Sequence, residues 1–175
     1  MGFTASGITK DTVTTTQQAP LGFVLTVEDQ TLDANGNIAG HGMQEWVYVF
    51  NDDAASFTEG TAVYRDPSAT TYDWYGGLLT TAAVALPYVI GIAQHTIAAG
   101  SYGFILKQGV GSILAGSAGL AADSAFTGGG SAAGTVLAVV NNADATVDTN
   151  KAVLGHAGTV IGASAIGTAF IRCAG

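Results

Sequence analysis

The residues that could do chemistry are few and scattered. His41, His95 and His156 show neither an H-x-x-x-H nor an H-E-x-x-H spacing, the arrangements that place two imidazoles on one metal ion. Each sits beside Gly, Gln or Ala in a predicted turn or strand end, and each reads as structural. DANGN, Asp33 to Asn37, has the side chains of a calcium loop, but Ile38 stands where such a loop needs glycine. It reads as a hairpin tip, because Asn-Gly favours the backbone of a tight β-turn. Asn51, Asp52 and Asp53 also suit a turn, where short polar side chains bond nearby N–H groups. Ser164 lies in GASAI, which lacks the final glycine of a nucleophile elbow. GVGSIL, from Gly109, lacks the third glycine of a dinucleotide fingerprint and reads as a turn. Cys173 is the only cysteine; it reads as a small buried apolar residue, with no disulfide framework and no Cys-based zinc site. No carboxylate pair stands in an acid–base setting. The expectation is a protein that is not an enzyme, with no cofactor and no metal.

Binding is the remaining work, and one segment is dressed for it. YDWYGG carries Tyr72, Trp74 and Tyr75 within four positions. Aromatic rings of this kind anchor protein interfaces and stack on sugar rings. They also cover the ends of barrels. All three readings stay open for this loop.

Charge narrows the partners. Only 10% of the 175 residues are charged, and the net charge is −8. Five scattered bases, Lys10, Arg65, Lys107, Lys151 and Arg172, make no phosphate-binding patch, so nucleic acid is excluded as a partner. Residues 1–73 hold two bases and ten acids, so the whole net charge lies there. Residues 74–175 are neutral overall, and between Trp74 and Ala143 the only formal charges are Lys107 and Asp123. Such a stretch is expected to be covered by partners, so the chain should be an oligomer, a trimer foremost. Asp29, Asp33, Asp52, Asp53 and Glu59 are expected on solvent-facing loops. The longest apolar run, Ala82 to Ala93, is interrupted by Pro87 and is too short for a spanning helix, which needs about 20 residues. No membrane is expected.

The elements that must position these residues read as strands. MQEWVYVF, Met43 to Phe50, puts Trp46, Tyr48 and Phe50 on one face and Val47 and Val49 on the other. Both faces are apolar, so both should be covered. LGFVLTVE, GTAVYRD, PYVIGIAQ, SYGFILKQ, GTVLAVV, KAVLGHA and GTAFIRC are further strands. LAADSAF could form one helical turn. The fold class is therefore all-β: a small barrel or sandwich of about eight to ten strands over residues 21–175, preceded by an extended arm over residues 1–20. The arm is Thr-rich with few apolar residues, among them the candidate anchors Phe3, Ile8 and Val13. Too apolar-poor to order itself, it is expected to lie on a neighbouring chain, leaving the barrel able to fold without it.

Residues 89–107 can be set against 153–171 at a constant offset of 64, with six identities in nineteen positions. These are Val89/Val153, Gly91/Gly155, Ala93/Ala157, Ile97/Ile161, Ala99/Ala163 and Gly103/Gly167. The echo fits two related hairpins in one barrel or sandwich; a Gly/Ala-rich composition also produces such matches.

Four segments in order carry a resemblance: the aromatic strand Trp46 to Val49, the G-x-x-V-Y strand Gly60 to Tyr64, the hairpin Gly91 to Phe104, and Ala121 to Asp123. Over about residues 44–172 the chain resembles the small head decoration, or cement, proteins of tailed bacteriophages. The resemblance implies a virion structural protein, β-rich and often trimeric. It would sit on the outer surface of the capsid, bridge neighbouring copies of the major capsid protein, and use its N-terminal arm. A tail-tube or head-fibre subunit is the alternative within virions. A carbohydrate-binding surface module is the alternative outside that class.

Overall fold

The computed structural model describes residues 7–66, 75–79, 89–129, 132–139 and 153–173. The fold is all-β: ten strands and, among the described residues, no helix. Strand β1 is Val24–Glu28, β2 is Met43–Asn51, β3 is Ala62–Arg65, β4 is Gly76–Leu78 and β5 is Val89–Ile92. The long β6 is Tyr102–Leu114, β7 is Ala125–Gly128, β8 is Val136–Ala138, β9 is Gly155–Ala157 and β10 is Ile166–Arg172. The segment LAADSAF makes a turn and then enters β7, with no helical turn.

Strands β2, β4, β3, β5 and the first half of β6 close on themselves. β2 pairs with β4 in parallel, and the other neighbours pair antiparallel. Closure leaves this barrel without free edges, which would otherwise invite pairing with other chains. Alternation along β2 sends Val47 and Val49 inward to meet Phe57, Val63, Ile90, Ala93, Ile97 and Ile105. Trp46 and Tyr48 face outward, yet they too are buried, in a different cluster. Both faces of β2 are covered, as the residue pattern requires.

A second ring follows. The second half of β6 pairs with β10, β10 with β9, β9 with β7 and β7 with β8. A parallel bridge between Ala115 and Val136 returns the circuit to the end of β6. This order and these directions repeat the first ring strand for strand. The hydrogen bonds repeat as well. Phe57 and Ile97 exchange two backbone bonds of 3.0 Å, and Leu120 and Ile161 exchange two of 2.8 and 2.9 Å. Ala93 donates to the Thr61 carbonyl as Ala157 does to Ser124, both at 2.9 Å. The 64-residue echo is thus a duplicated barrel, and the related hairpins lie in two barrels rather than one. β6 closes the first and opens the second, so Gly109–Leu114 is strand and not the turn its glycines suggested.

The duplication leaves a measurable asymmetry in strain. Gly100 has φ +70°, and its counterpart Ser164 has φ +52°. A side chain in the left-handed region costs about 1–2 kcal/mol. A Cβ on Gly100 would meet nothing within 4 Å, so conformation alone decides this site. Ser164→Gly is expected to stabilise the protein by about 0.5–1 kcal/mol, and Gly100→Ser to destabilise it by about 1 kcal/mol. Urea midpoints that move together in one direction would contradict the equivalence.

Candidate interaction surfaces

The outer face of the first barrel is covered by the chain's own N-terminal segment. Thr14 donates to the Tyr102 carbonyl at 3.0 Å and accepts from Tyr102 N–H at 2.7 Å. Gln18 N–H donates to the Tyr48 hydroxyl at 3.1 Å. Gly22 N–H donates to the Tyr48 carbonyl at 2.8 Å, and Tyr48 N–H donates to the Phe23 carbonyl at 2.9 Å. Beneath this layer Tyr48 packs on Phe104 at 4.9 Å between ring centroids, and Phe23 meets Phe104 edge-on at 6.4 Å. The Lys10 ammonium lies 5.1 Å from the centre of the Trp46 ring. The expectation of an arm ordered by a neighbour is therefore corrected for residues 7–20. The segment needs few apolar residues of its own, because β2 and β6 provide the rings and it provides backbone hydrogen bonds.

The candidate interface residues fall in different places. Ile8 packs against the core and is half-buried. Val13 is 37% exposed. Tyr75 is half-buried against the first barrel's core, and its ring lies where a Cβ on Gly22 would stand. Phe3, Tyr72 and Trp74 lie outside the described residues, so the aromatic loop as such does too.

Among the acids, Asp33, Asp52 and Glu59 are exposed and Asp53 is half-buried. Asp29 is a correction: it is only 5% exposed. Burial pushes its carboxyl up, but hydrogen bonds from the Thr31 hydroxyl and N–H and from His41 outweigh burial and hold it below its ordinary value. Thr31 lies two residues along the chain and His41 12 residues away. Asp33 accepts from the N–H groups of Asn35 and Asn37 at 2.8 and 2.9 Å, and Leu32 bridges Ile38. DANGN is the expected hairpin tip.

His95 stacks on Trp46, with centroids 6.4 Å apart, and neither ring nitrogen has a hydrogen-bond partner among the described residues. Burial pushes its imidazole below the ordinary value; Asp11 opposes this and Lys10 adds to it. The signs combine. A histidine held neutral by the fold withdraws stability as pH falls below about 6.5, where the unfolded chain takes up the proton. A carboxylate with a lowered value contributes stability above about 3.9 that is lost as pH falls through its folded value. Stability is expected to decline from pH 7 to pH 5 through His95, and further below pH 4 through Asp29. His95→Gln should flatten the first fall and Asp29→Asn the second. A urea midpoint constant from pH 7 to pH 3 would contradict both assignments.

The second barrel presents the same outer face without a cover among the described residues. Along β10, Ala169 and Ile171 point inward, while Ile166, Thr168, Phe170 and Arg172 point outward. Ile166 is 50% exposed and Phe170 46%. Val110 and Leu114, their partners on β6, are half-buried. One end of this face opens into a cleft of 750 Å³ lined by Glu45, Lys107, His156, Phe170 and Arg172, among others. A second cleft, of 780 Å³, separates the arm and β1 from β6 and β10 and is bordered by Lys10, Asp29, Trp46, Ser112 and Thr168. Among the described residues no three His, Cys, Asp or Glu side chains gather to hold a metal ion. What the molecule offers is surface: an exposed apolar sheet face with basic groups at one end.

No protein-family model matches the chain, and no curated protein matches it. Among solved structures, it is similar to the head fiber gp8.5 N base of bacteriophage phi29, at 12% sequence identity. The similarity covers 72% of this chain and 93% of that one, with a TM-score of 0.47.

Proposed function

We propose that this chain is a virion structural protein that decorates the outer surface of a phage capsid and stabilises it by bridging neighbouring major capsid proteins, as a homotrimer. The observation that carries the reading is the division of its surface. Asp33, Asp52 and Glu59 are exposed on the first half. Both halves expose apolar side chains, Leu32, Ile38 and Met43 on the first and Val153, Val160, Ile166 and Phe170 on the second, but the second half's only described acid is Asp123. Acidic side chains left toward solvent, Asp52 and Glu59 among them, keep particles apart by like charge. Apolar side chains turned toward the shell or toward a neighbouring copy gain by leaving water. The four segments that resemble those of head decoration proteins support the same reading. An interface of standard size, about 1,600 Å², holds one contact. Several contacts per oligomer multiply the hold without any single one being strong.

Rebinding of the purified protein to stripped capsids tests this. Occupancy is expected to be saturable and nearly flat between about 50 and 500 mM salt, because contacts without charge pairs are not screened. A steep loss with salt would make the acids the docking surface and overturn the orientation. No binding to capsids, with binding to glycans instead, would favour the carbohydrate module.

A further inference from the structure

The duplication lets one half of the molecule state what the other half lacks. On the first barrel, the outward residues Tyr102, Phe104 and Leu106 lie under the chain's own cover, with Phe104 and Leu106 wholly buried. Their counterparts at the 64-residue offset are Ile166, Thr168 and Phe170, and all three are exposed. The described part of the N-terminal arm lies on the first barrel, and among the described residues no segment lies over these three. Another molecule can supply the cover.

The face states the chemistry of that cover. Its centre is apolar, and at the Phe170 end stand Lys107, Arg172 and His156 with the one acid Glu45, none of them in an ion pair among the described residues, so the bases outnumber the acid. The fitting occupant is apolar with acids beside it. The chain itself carries such a surface. After β1, Leu32 is 60% exposed and Ile38 48%, paired across the tip of the hairpin. Met43 beside them is 56% exposed, and the exposed carboxylates of Glu28 and Asp33 flank the group. The Asp33 hydrogen bonds to Asn35 and Asn37 hold the tip in one shape, so little ordering is lost on docking.

We propose that a second copy of this chain docks its 31–39 hairpin on the outer face of β10, Leu32 and Ile38 covering Phe170 and Ile166 while Asp33 and Glu28 meet Lys107 and Arg172. The contact joins two different patches, so it repeats from copy to copy and forms a ring where the rotation between copies closes. It deepens the reading of the protein as an oligomer and does not depend on the capsid.

Phe170→Asp and Leu32→Asp test it, since each buries an unpaired charge in the contact while altering a residue that is exposed in the single chain. At about 20 µM the wild type is expected to sediment as an oligomer. Each variant should sediment at 17.5 kDa, its self-association weakened about 100-fold or more, with an unchanged circular dichroism spectrum. Each variant keeps one good patch of a different kind, so an equal mixture should form a 1:1 dimer. A monomeric wild type, a single variant that still assembles, or a mixture that stays monomeric would each overturn the contact. Capsid rebinding is read on particles, so a failure there is distinct from a failure here.

Discussion

A chain starting at Val24, without residues 1–23, is expected to lose its cooperative fold. The missing segment covers Trp46, Tyr48 and Phe104, which are at most 3% exposed in the intact protein. Returning a large buried side chain to water costs about 1.5–3 kcal/mol. Three of them amount to roughly 5–9 kcal/mol, against a total stability of about 5–15 kcal/mol for an ordinary domain. The truncation also strips both backbone hydrogen bonds that Tyr48 makes with Gly22 and Phe23. The sequence reading has the barrel folding without its arm; the described part of the arm forms one wall of the first barrel's outer layer, and the truncation tests which expectation holds. Thermal unfolding followed by near-ultraviolet circular dichroism decides. A truncated chain that keeps a cooperative transition within a few degrees of the wild type would refute this role.

Gly60→Val should cost about 3–5 kcal/mol, among the largest effects of any single change. Gly60 has φ +80°, a region that β-branched residues avoid. A Cβ there would stand 2.7 Å from the Leu114 nitrogen and 2.8 Å from the Ile113 carbonyl carbon. Both are backbone atoms of β6, so no side chain can swing aside to make room. The Gly60 carbonyl also accepts from Leu114 N–H at 2.8 Å, which ties the first barrel to the strand that opens the second. Asp123 holds the corresponding turn at φ +58°, so the left-handed backbone belongs to the repeat, and the crowding against β6 is what demands glycine at 60. A loss below 1 kcal/mol in urea unfolding would show that the junction yields more easily than its geometry implies.

What could be read beforehand followed from local pattern. The alternation in MQEWVYVF revealed a strand covered on both faces, and Asn-Gly marked the hairpin tip. β6 was cut short because Gly109 and Gly111 look like a turn. In the fold, Gly109 lets β6 pass close to Gln44 and Met43, and the strand runs on. The repeat was visible only in its hairpins. Elsewhere the copies keep backbone hydrogen bonds but exchange side chains: Val47 corresponds to Gly111, and Ile105 to Ala169. Asp29 read as a solvent residue because its partner His41 lies across a hairpin. The bare face of β10 was illegible, since Ile166, Thr168 and Phe170 alternate just as a covered strand does. Only the absence of an overlying segment among the described residues tells them apart, and that is a tertiary fact.

The central claim is that this double barrel stands on the outside of a phage head. The most direct measurement is an electron cryomicroscopy reconstruction of phage virions purified from the chain's source. The account predicts ten-stranded density on the outer face of the shell at the boundaries between capsid subunits. Asp52 and Glu59 should face solvent, Asp33 should lie at the contact between copies, and the second barrel should be turned toward its neighbours. Particles that carry the chain only in the tail, or that lack it altogether, would contradict the claim.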